Sequence, residues 1–177
     1  AVFCQACETS TAVAQPLQEI AKAIRQHAHE SLFIVDAMTA LGAMPIEMDE
    51  WGIDVLVAGS QKAFMLPAGI SFISLSERAW KMATQSKMPK YYLDLAAELD
   101  ANTKNETRFS SSVSHIRALH VALRESFVGP QLARTIARSQ SLARATREVC
   151  TQAYQLKVYP KAPSSSVSAL LIPEPIQ

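Results

Sequence analysis

Two short apolar runs dominate the first third of the chain: residues 32–35, Leu-Phe-Ile-Val, and residues 55–58, Val-Leu-Val-Ala. Each has the length of a buried strand. The first stops at Asp36 and the second runs into Gly59-Ser60-Gln61-Lys62. Residues 70–75 read as a further strand, suited to the antiparallel member that such sheets include, and residues 1–6 read as a strand with no cap or turn before it. Elsewhere the period lengthens. Residues 16–29 put Leu17, Ile20, Ala21, Ile24 and Ala28 on one stripe, the signature of an amphipathic helix, with Pro16 suited to its first turn. His27 and His29 fall at its polar end, a favourable place for cations. Ser76 suits the N-cap of a short helix. Residues 113–127 predict another helix, and residues 129–155 a long one with Leu132, Ile136, Ala143, Val149 and Ala153 roughly on one side. Its arginines, Arg134, Arg138, Arg144 and Arg147, read as a solvated face. Residues 91–94 and 101–106 read as loops. Residues 157–160 and 167–172 read as strands, with a stop over residues 173–177. Short apolar strand runs alternating with helices predict an α/β fold whose mostly parallel sheet is covered on both faces, a three-layer arrangement. In such sheets ligands bind beyond the carboxyl ends of the strands, where Asp36 and Lys62 both fall.

Composition narrows the function classes. Seventeen basic residues against sixteen acidic give +1, so no charge excess points to nucleic acid or to a membrane surface. No apolar run has the length of a membrane span, and the chain opens without a basic stretch before an apolar one. Cys4-Gln-Ala-Cys7 has the C-x-x-C spacing of redox and zinc sites. A zinc site needs four ligands and no second pair exists, while a redox motif should open a helix and this one runs into Glu8-Thr9-Ser10-Thr11. Cys4, Cys7 and Cys150 therefore read as buried or strand-end thiols of a reducing cytosol.

A carboxylate and an amine at adjacent strand ends have a chemical use. A desolvated lysine condenses with an aldehyde, and a fixed aspartate holds a proton on a pyridine nitrogen. Together they are the protein's half of pyridoxal 5′-phosphate (PLP) chemistry. The plain alternative is that Asp36 caps a turn and Lys62 is a solvated loop cation; spacing alone leaves both readings open.

The stretch VDAMTALGAMPIEMDEWGIDVLVAGSQKAFMLPAG, residues 35–69, resembles the core of the class V aminotransferases, on the branch with the serine–glyoxylate and alanine–glyoxylate enzymes. The register can be followed from about Phe3 to about Pro173. The resemblance implies the large domain of a type I PLP-dependent transferase. It implies Lys62 as the Schiff-base lysine, expected to be buried beside Phe64-Met65-Leu66, and Asp36 on the ring nitrogen. Thr9 is implied at the phenolic oxygen and Gln61 near the phosphate. Ser112 is implied at the phosphate of a partner subunit, which makes a homodimer the expected assembly. The related cysteine desulfurases carry His where this chain has Gln61, and Gln cannot transfer protons, so desulfuration is disfavoured. Two departures stand out: Ala12 replaces a family Gly, strained if that position needs positive φ, and Phe109 replaces a Tyr and loses its hydroxyl.

The family register also implies domains: residues 1–128 as the central part of the PLP-binding large domain, 129–156 as a linking helix and 157–177 as the start of the small domain. On this reading the chain is truncated at both ends. The phosphate-cradling loop and ring-stacking aromatic lie upstream, and the arginine that grips the substrate carboxylate lies downstream. The implied function is a cytoplasmic aminotransferase of small amino and oxo acids, with serine or alanine as donor and glyoxylate or pyruvate as acceptor. The alternatives are a silent piece that folds and self-associates without turnover, and a PLP-dependent lyase of the same fold.

Overall fold

The apolar runs become one sheet. A computed structural model describes residues 1–174. Strand β1 (Val2–Gln5) leads into a hairpin of β2 (Cys7–Glu8) and β3 (Val13–Ala14), and helix α1 (Leu17–His27) then crosses to β4 (Phe33–Asp36). A single turn, α2 (Met48–Trp51), precedes β5 (Val55–Gly59), and β6 (Ser71–Leu75) returns beside it. Helices α3 (Glu77–Gln85), α4 (Leu95–Thr103), α5 (Val113–Ser126) and α6 (Pro130–Gln152) follow, and β7 (Lys157–Val158) pairs with β8 (Leu170–Leu171). The central sheet runs β1-β4-β5-β6; the first three are parallel and β6 is antiparallel, as expected from the sequence. Of the expected stop at 173–177, residues 175–177 lie outside the described residues. Among the described residues no helix is long and apolar enough to cross a membrane.

The core lies where α1 packs on the sheet. Phe33 and Val35 of β4 are fully buried, with Leu17, Ala21 and Ile24 of α1 against the same cluster. Burying side chains of this size stabilises the fold by roughly 1.5–3 kcal/mol each. Trp51 packs at the edge of this cluster, half-buried, as a core residue rather than a ligand.

Two local readings differ from expectation. Residues 95–103 form α4, started by Asp94, whose Oδ1 accepts the N–H groups of Ala96 and Ala97 at 3.1 and 3.2 Å. The polar loop expected from residue 101 therefore begins only after Thr103. The hydroxyl-rich stretch after β1 is not an open loop but the tip of the β2–β3 hairpin, closed by Ala12 at φ 58° and fully buried. An L-residue in that conformation costs about 1–2 kcal/mol. The C-terminal segment offsets it: Ser164 N–H donates to Ala12 O at 2.9 Å, Ala14 N–H to Ala162 O at 2.9 Å, and Ser165 Oγ to Ala43 O at 2.8 Å.

A buried carboxylate fixes how the strands meet. Asp54 stands just before β5 and is 3% exposed. Its Oδ2 accepts the Phe33 N–H at 2.8 Å and Arg25 Nη2 at 3.2 Å, and its Oδ1 accepts Ser76 Oγ at 3.0 Å. Its main chain donates to Phe33 O and accepts from the Ser76 N–H, both at 2.8 Å. The Ser76 hydroxyl in turn caps α3 by accepting the Ala79 N–H at 3.1 Å. Burial pushes the Asp54 carboxyl up, but the hydrogen bonds from Phe33, Arg25 and Ser76 and the charge of Arg25 outweigh it and hold it below the usual carboxylate range.

At the other end of β5 a serine clamps the loop that carries Lys62. Ser60 is fully buried. Its hydroxyl donates to Pro67 O at 2.7 Å and accepts the Ile70 N–H at 3.3 Å, while its own N–H donates to Ile70 O at 3.0 Å and its carbonyl accepts the Leu66 N–H at 3.1 Å. Residues 60–70 thus form a loop closed at its base by the hydroxyl and main chain of one residue.

Asp54→Ala removes the partner of three donors and should cost roughly 3 kcal/mol in urea unfolding at pH 7. Because the folded pKa of Asp54 lies below its unfolded value of about 3.9, its contribution is present above about pH 4 and fades as pH falls through the folded value. The variant should show a shallower acid limb; an unchanged limb would contradict the network. Ser60→Ala should cost about 1–2 kcal/mol and speed hydrogen exchange at Leu66 and Ile70. Exchange no faster than in the unaltered chain would mean that the loop base is held otherwise.

Candidate functional site

The parallel register sets the site. Gln5, Asp36 and Val57 stand side by side across β1, β4 and β5. A cleft of about 620 Å³ opens beyond these strand ends and is lined in part by Glu8, Thr9, Asp36, Thr39, Val57 and Lys62. Three elements therefore deliver Thr9, Asp36 and Lys62 to one place: the hairpin, the end of β4 and the loop after β5. Gln61 and Ser112 do not line this cleft.

Asp36 closes β4 and is exposed. Its main-chain carbonyl accepts the Ala6 N–H at 2.8 Å, and its Oδ1 accepts the Met38 N–H at 2.8 Å. One oxygen thus caps the turn, and Oδ2 takes no hydrogen bond among the described residues. The turn-capping reading of this residue is thereby realised.

Thr9 sits at the hairpin tip. Its Oγ1 lies 2.6 Å from Oγ1 of Thr39, thirty residues away and 9% exposed. Thr39 is not among the site residues expected from the sequence. Its signal is weak, a hydroxyl three residues past the strand-end aspartate, and only the sheet register brings it to Thr9. Glu8 was missed in the same way. The Ser10 hydroxyl and N–H donate to its Oε1 at 2.6 and 2.9 Å, and Gln5 Nε2 donates to Oε2 at 2.8 Å. These bonds hold the Glu8 carboxyl at about 2, a permanent negative charge on the cleft. Cys4 also lines the cleft; burial pushes its thiol up, which keeps it a neutral wall residue rather than a nucleophile.

Lys62 corrects one expectation. It is exposed, not buried beside its apolar neighbours. Phe64 takes the interior place, with ring centroids 4.9 Å from Phe72 and 4.5 Å from Phe127, while Met65 turns outward at φ 58° and 77% exposed. The apolar run therefore anchors the loop through one ring and leaves the amine on the cleft wall. Lys62 makes no hydrogen bond or ion pair among the described residues.

Ser112 lies before α5, its Oγ 2.7 Å from Nδ1 of His115. His115 thus pairs with the Ser112 hydroxyl within the first turn of α5. Its ring also packs over Gly69, where an added Cβ would meet Nε2 at 3.0 Å and φ is +151°, so the loop from Lys62 needs a glycine there. Cys4, Cys7 and Cys150 are free thiols. Among the described residues no group of three or more His, Cys, Asp or Glu is placed to hold a metal ion.

Known proteins share parts of this sequence and this fold. The chain is 39% identical over 159 residues to a protein of Synechococcus sp. called soluble hydrogenase, small subunit, covering 90% of this chain and 41% of that one. It is 31% identical over 181 residues to the serine–glyoxylate aminotransferase of Hyphomicrobium methylovorum, covering 99% of this chain and 44% of that enzyme. The solved aspartate aminotransferase of subgroup IV from Thermus thermophilus superposes with a TM-score of 0.90 at 30% identity, over 98% of this chain and 48% of that one. The chain thus spans less than half the length of these relatives. Residues 1–168 match the pattern of the family Aminotransferase class-V, so the chain belongs to that family, and pyridoxal 5′-phosphate is the cofactor that membership implies.

Proposed function

We propose that this chain carries the amine-handling part of an aminotransferase for small amino and oxo acids, with serine or alanine as donor and glyoxylate or pyruvate as acceptor. The observation that carries this reading is the convergence of Thr9, Asp36 and Lys62 on one cleft beyond the parallel strand ends. Bound there, PLP supplies an aldehyde for amines and an electron-accepting ring. The residues present fit its ring. Asp36 Oδ2, without a hydrogen-bond partner among the described residues, would accept the N–H of a pyridinium and hold that proton in place. The Thr9 hydroxyl would donate to the phenolic oxygen, with the Thr39 hydroxyl 2.6 Å away to hold it in place. Lys62 would supply the amine that holds the cofactor's aldehyde and would serve as a base beside the substrate carbon. Ser60 holds the loop that aims it.

The phosphate end is served from outside the cleft. We assign it to Gln61 and to Ser112 of a second copy in a homodimer, and the exposed Val113, Ile116, Val121 and Leu132 of α5 and α6 support such an association. Residues 1–128 then form the large-domain part, 129–156 the linking helix and 157–177 the start of a small domain. The free thiols support a cytoplasmic setting. A second reading, a chain that folds without turnover by itself, is favoured by the exposure of Lys62. Steady conversion of alanine and glyoxylate by the chain alone would refute it.

Adding PLP and reducing with borohydride should place a stable label on Lys62, mapped by mass spectrometry, and Lys62→Ala should lose it. Asp36→Ala should weaken PLP binding by roughly tenfold or more, since it removes a charge-assisted hydrogen bond. A label spread over surface lysines and unchanged in Lys62→Ala would overturn the assignment.

A further inference from the structure

Thr9 is carried by a small element. The β2–β3 hairpin has two residues in each strand, and a two-stranded ribbon of that size does not hold by itself in water. The segment after Pro160 completes it. Ala14 N–H donates to Ala162 O and Ser164 N–H to Ala12 O, both at 2.9 Å, with Val13 bridged to Pro163 between them. Pro163 has no N–H to donate, which suits this outer edge. Ser166 Oγ reaches Cys7 Sγ at 3.7 Å, so the segment touches both strands of the hairpin. It also grips the facing turn. Ser165 Oγ donates to Ala43 O at 2.8 Å, and the Ala43 N–H closes on Ala40 O at 3.0 Å beside Thr39. One segment thus holds both halves of the Thr9–Thr39 pair. What holds the segment is Arg147. Ser164 is 1% exposed, so its carbonyl is shut off from water and needs a donor. Arg147 Nη1 supplies it from α6 at 2.9 Å. Arg134, Arg138 and Arg144 are exposed as the sequence suggests, whereas Arg147 is half-buried. A charged donor to a buried carbonyl makes one of the stronger hydrogen bonds.

We propose that Arg147 is a positioning residue: from α6 it fixes, through Ser164, the segment that keeps the Thr9 hydroxyl against Thr39 on the cleft. This rests on the reading of Thr9 as the donor to the phenolic oxygen, and it ties the placement of that donor to α6. Contact runs from Arg147 to Ser164, from Ser164 to Ala12, and from Ala12 to the hairpin tip. Loss of the guanidinium leaves the Ser164 carbonyl buried without a donor, and the segment must shift toward water to satisfy it. The hairpin then loses its third strand, and Ala12, at φ 58°, is free to leave the left-handed region. Thr9 moves off the cleft, while Asp36 and Lys62 stay where β4 and Ser60 hold them.

The test needs no turnover. Arg147→Met keeps the aliphatic stem and removes the donors. In the chain without PLP, amide exchange followed by NMR should rise roughly tenfold or more at Ala14 and Ser164, the scale of one charge-assisted hydrogen bond. It should stay unchanged at Asp54, whose N–H lies on Phe33 O in the core. Arg144→Met, on the same helix but paired with Glu148, should change none of these. PLP affinity separates positioning from general stability. Arg147→Met should weaken PLP binding by roughly threefold to tenfold in the unaltered chain and add no further loss in Thr9→Val, which lacks the hydroxyl. Unchanged exchange at Ala14 and Ser164, an equal rise at Asp54, or a loss of PLP affinity that persists in Thr9→Val would overturn the proposal. The two readings fail separately. Faster local exchange in Arg147→Met, with PLP affinity indifferent to Thr9→Val, supports the clamp and refutes only the cofactor role of Thr9. Affinity that falls in Thr9→Val, with exchange indifferent to Arg147→Met, does the reverse.

Discussion

The Asp54 carboxylate is the constraint on which the rest of the structure depends. It is buried, ionised and shared by four elements: the Phe33 N–H that opens β4, Arg25 of α1, its own place before β5, and the Ser76 hydroxyl between β6 and α3. A charge in that position is tolerated only while its donors stay in place, because an unpaired buried charge is costly. It therefore acts as a register pin. A slip of one residue between β4 and β5 would turn Phe33 and Val35 out of the core and break the Phe33 bond together.

What is pinned at one end of the sheet is displayed at the other. With Ile34 opposite Val55, Asp36 must stand opposite Val57, and the loop that leaves Gly59 must start beside the Asp36 turn. The residues proposed to carry the chemistry then sit on short segments at strand ends, each held by a few specific bonds rather than by bulk packing. Ala12 and Met65, at φ 58° each, put left-handed strain into the hairpin that carries Thr9 and the loop that carries Lys62. Such strain persists only where surrounding contacts overdetermine it. Ser164 over the hairpin and Ser60 under the loop provide those contacts.

Much of this was legible in the sequence because it depends on neighbours in the chain. The runs that became β4 and β5 are short, apolar and bounded by polar residues, and the α1 stripe kept its period, so Leu17, Ala21 and Ile24 are buried as expected. Asp36 and Lys62 could be placed at strand ends from those boundaries alone. The misses share a cause. Residues 95–103 have no sustained apolar face, so only the Asp94 cap could have announced α4. The Thr9–Thr39 pair and the Ser164 bond to Ala12 join residues far apart in sequence. Lys62 was expected inside because three apolar residues follow it, yet only Phe64 finds ring partners there. The arginines of α6 look alike in sequence, and only the fold shows Arg147 engaged by the Ser164 carbonyl.

We propose that the strand register makes Asp36 the partner of a protonated pyridine nitrogen. Nitrogen-15 NMR of PLP labelled in its ring and added to the chain at neutral pH reads that proton directly. The account predicts a pyridinium-like shift in the unaltered chain and a pyridine-like shift in Asp36→Asn, with the label on Lys62 retained in both. A pyridine-like shift in the unaltered chain, or the same shift in both proteins, would contradict it.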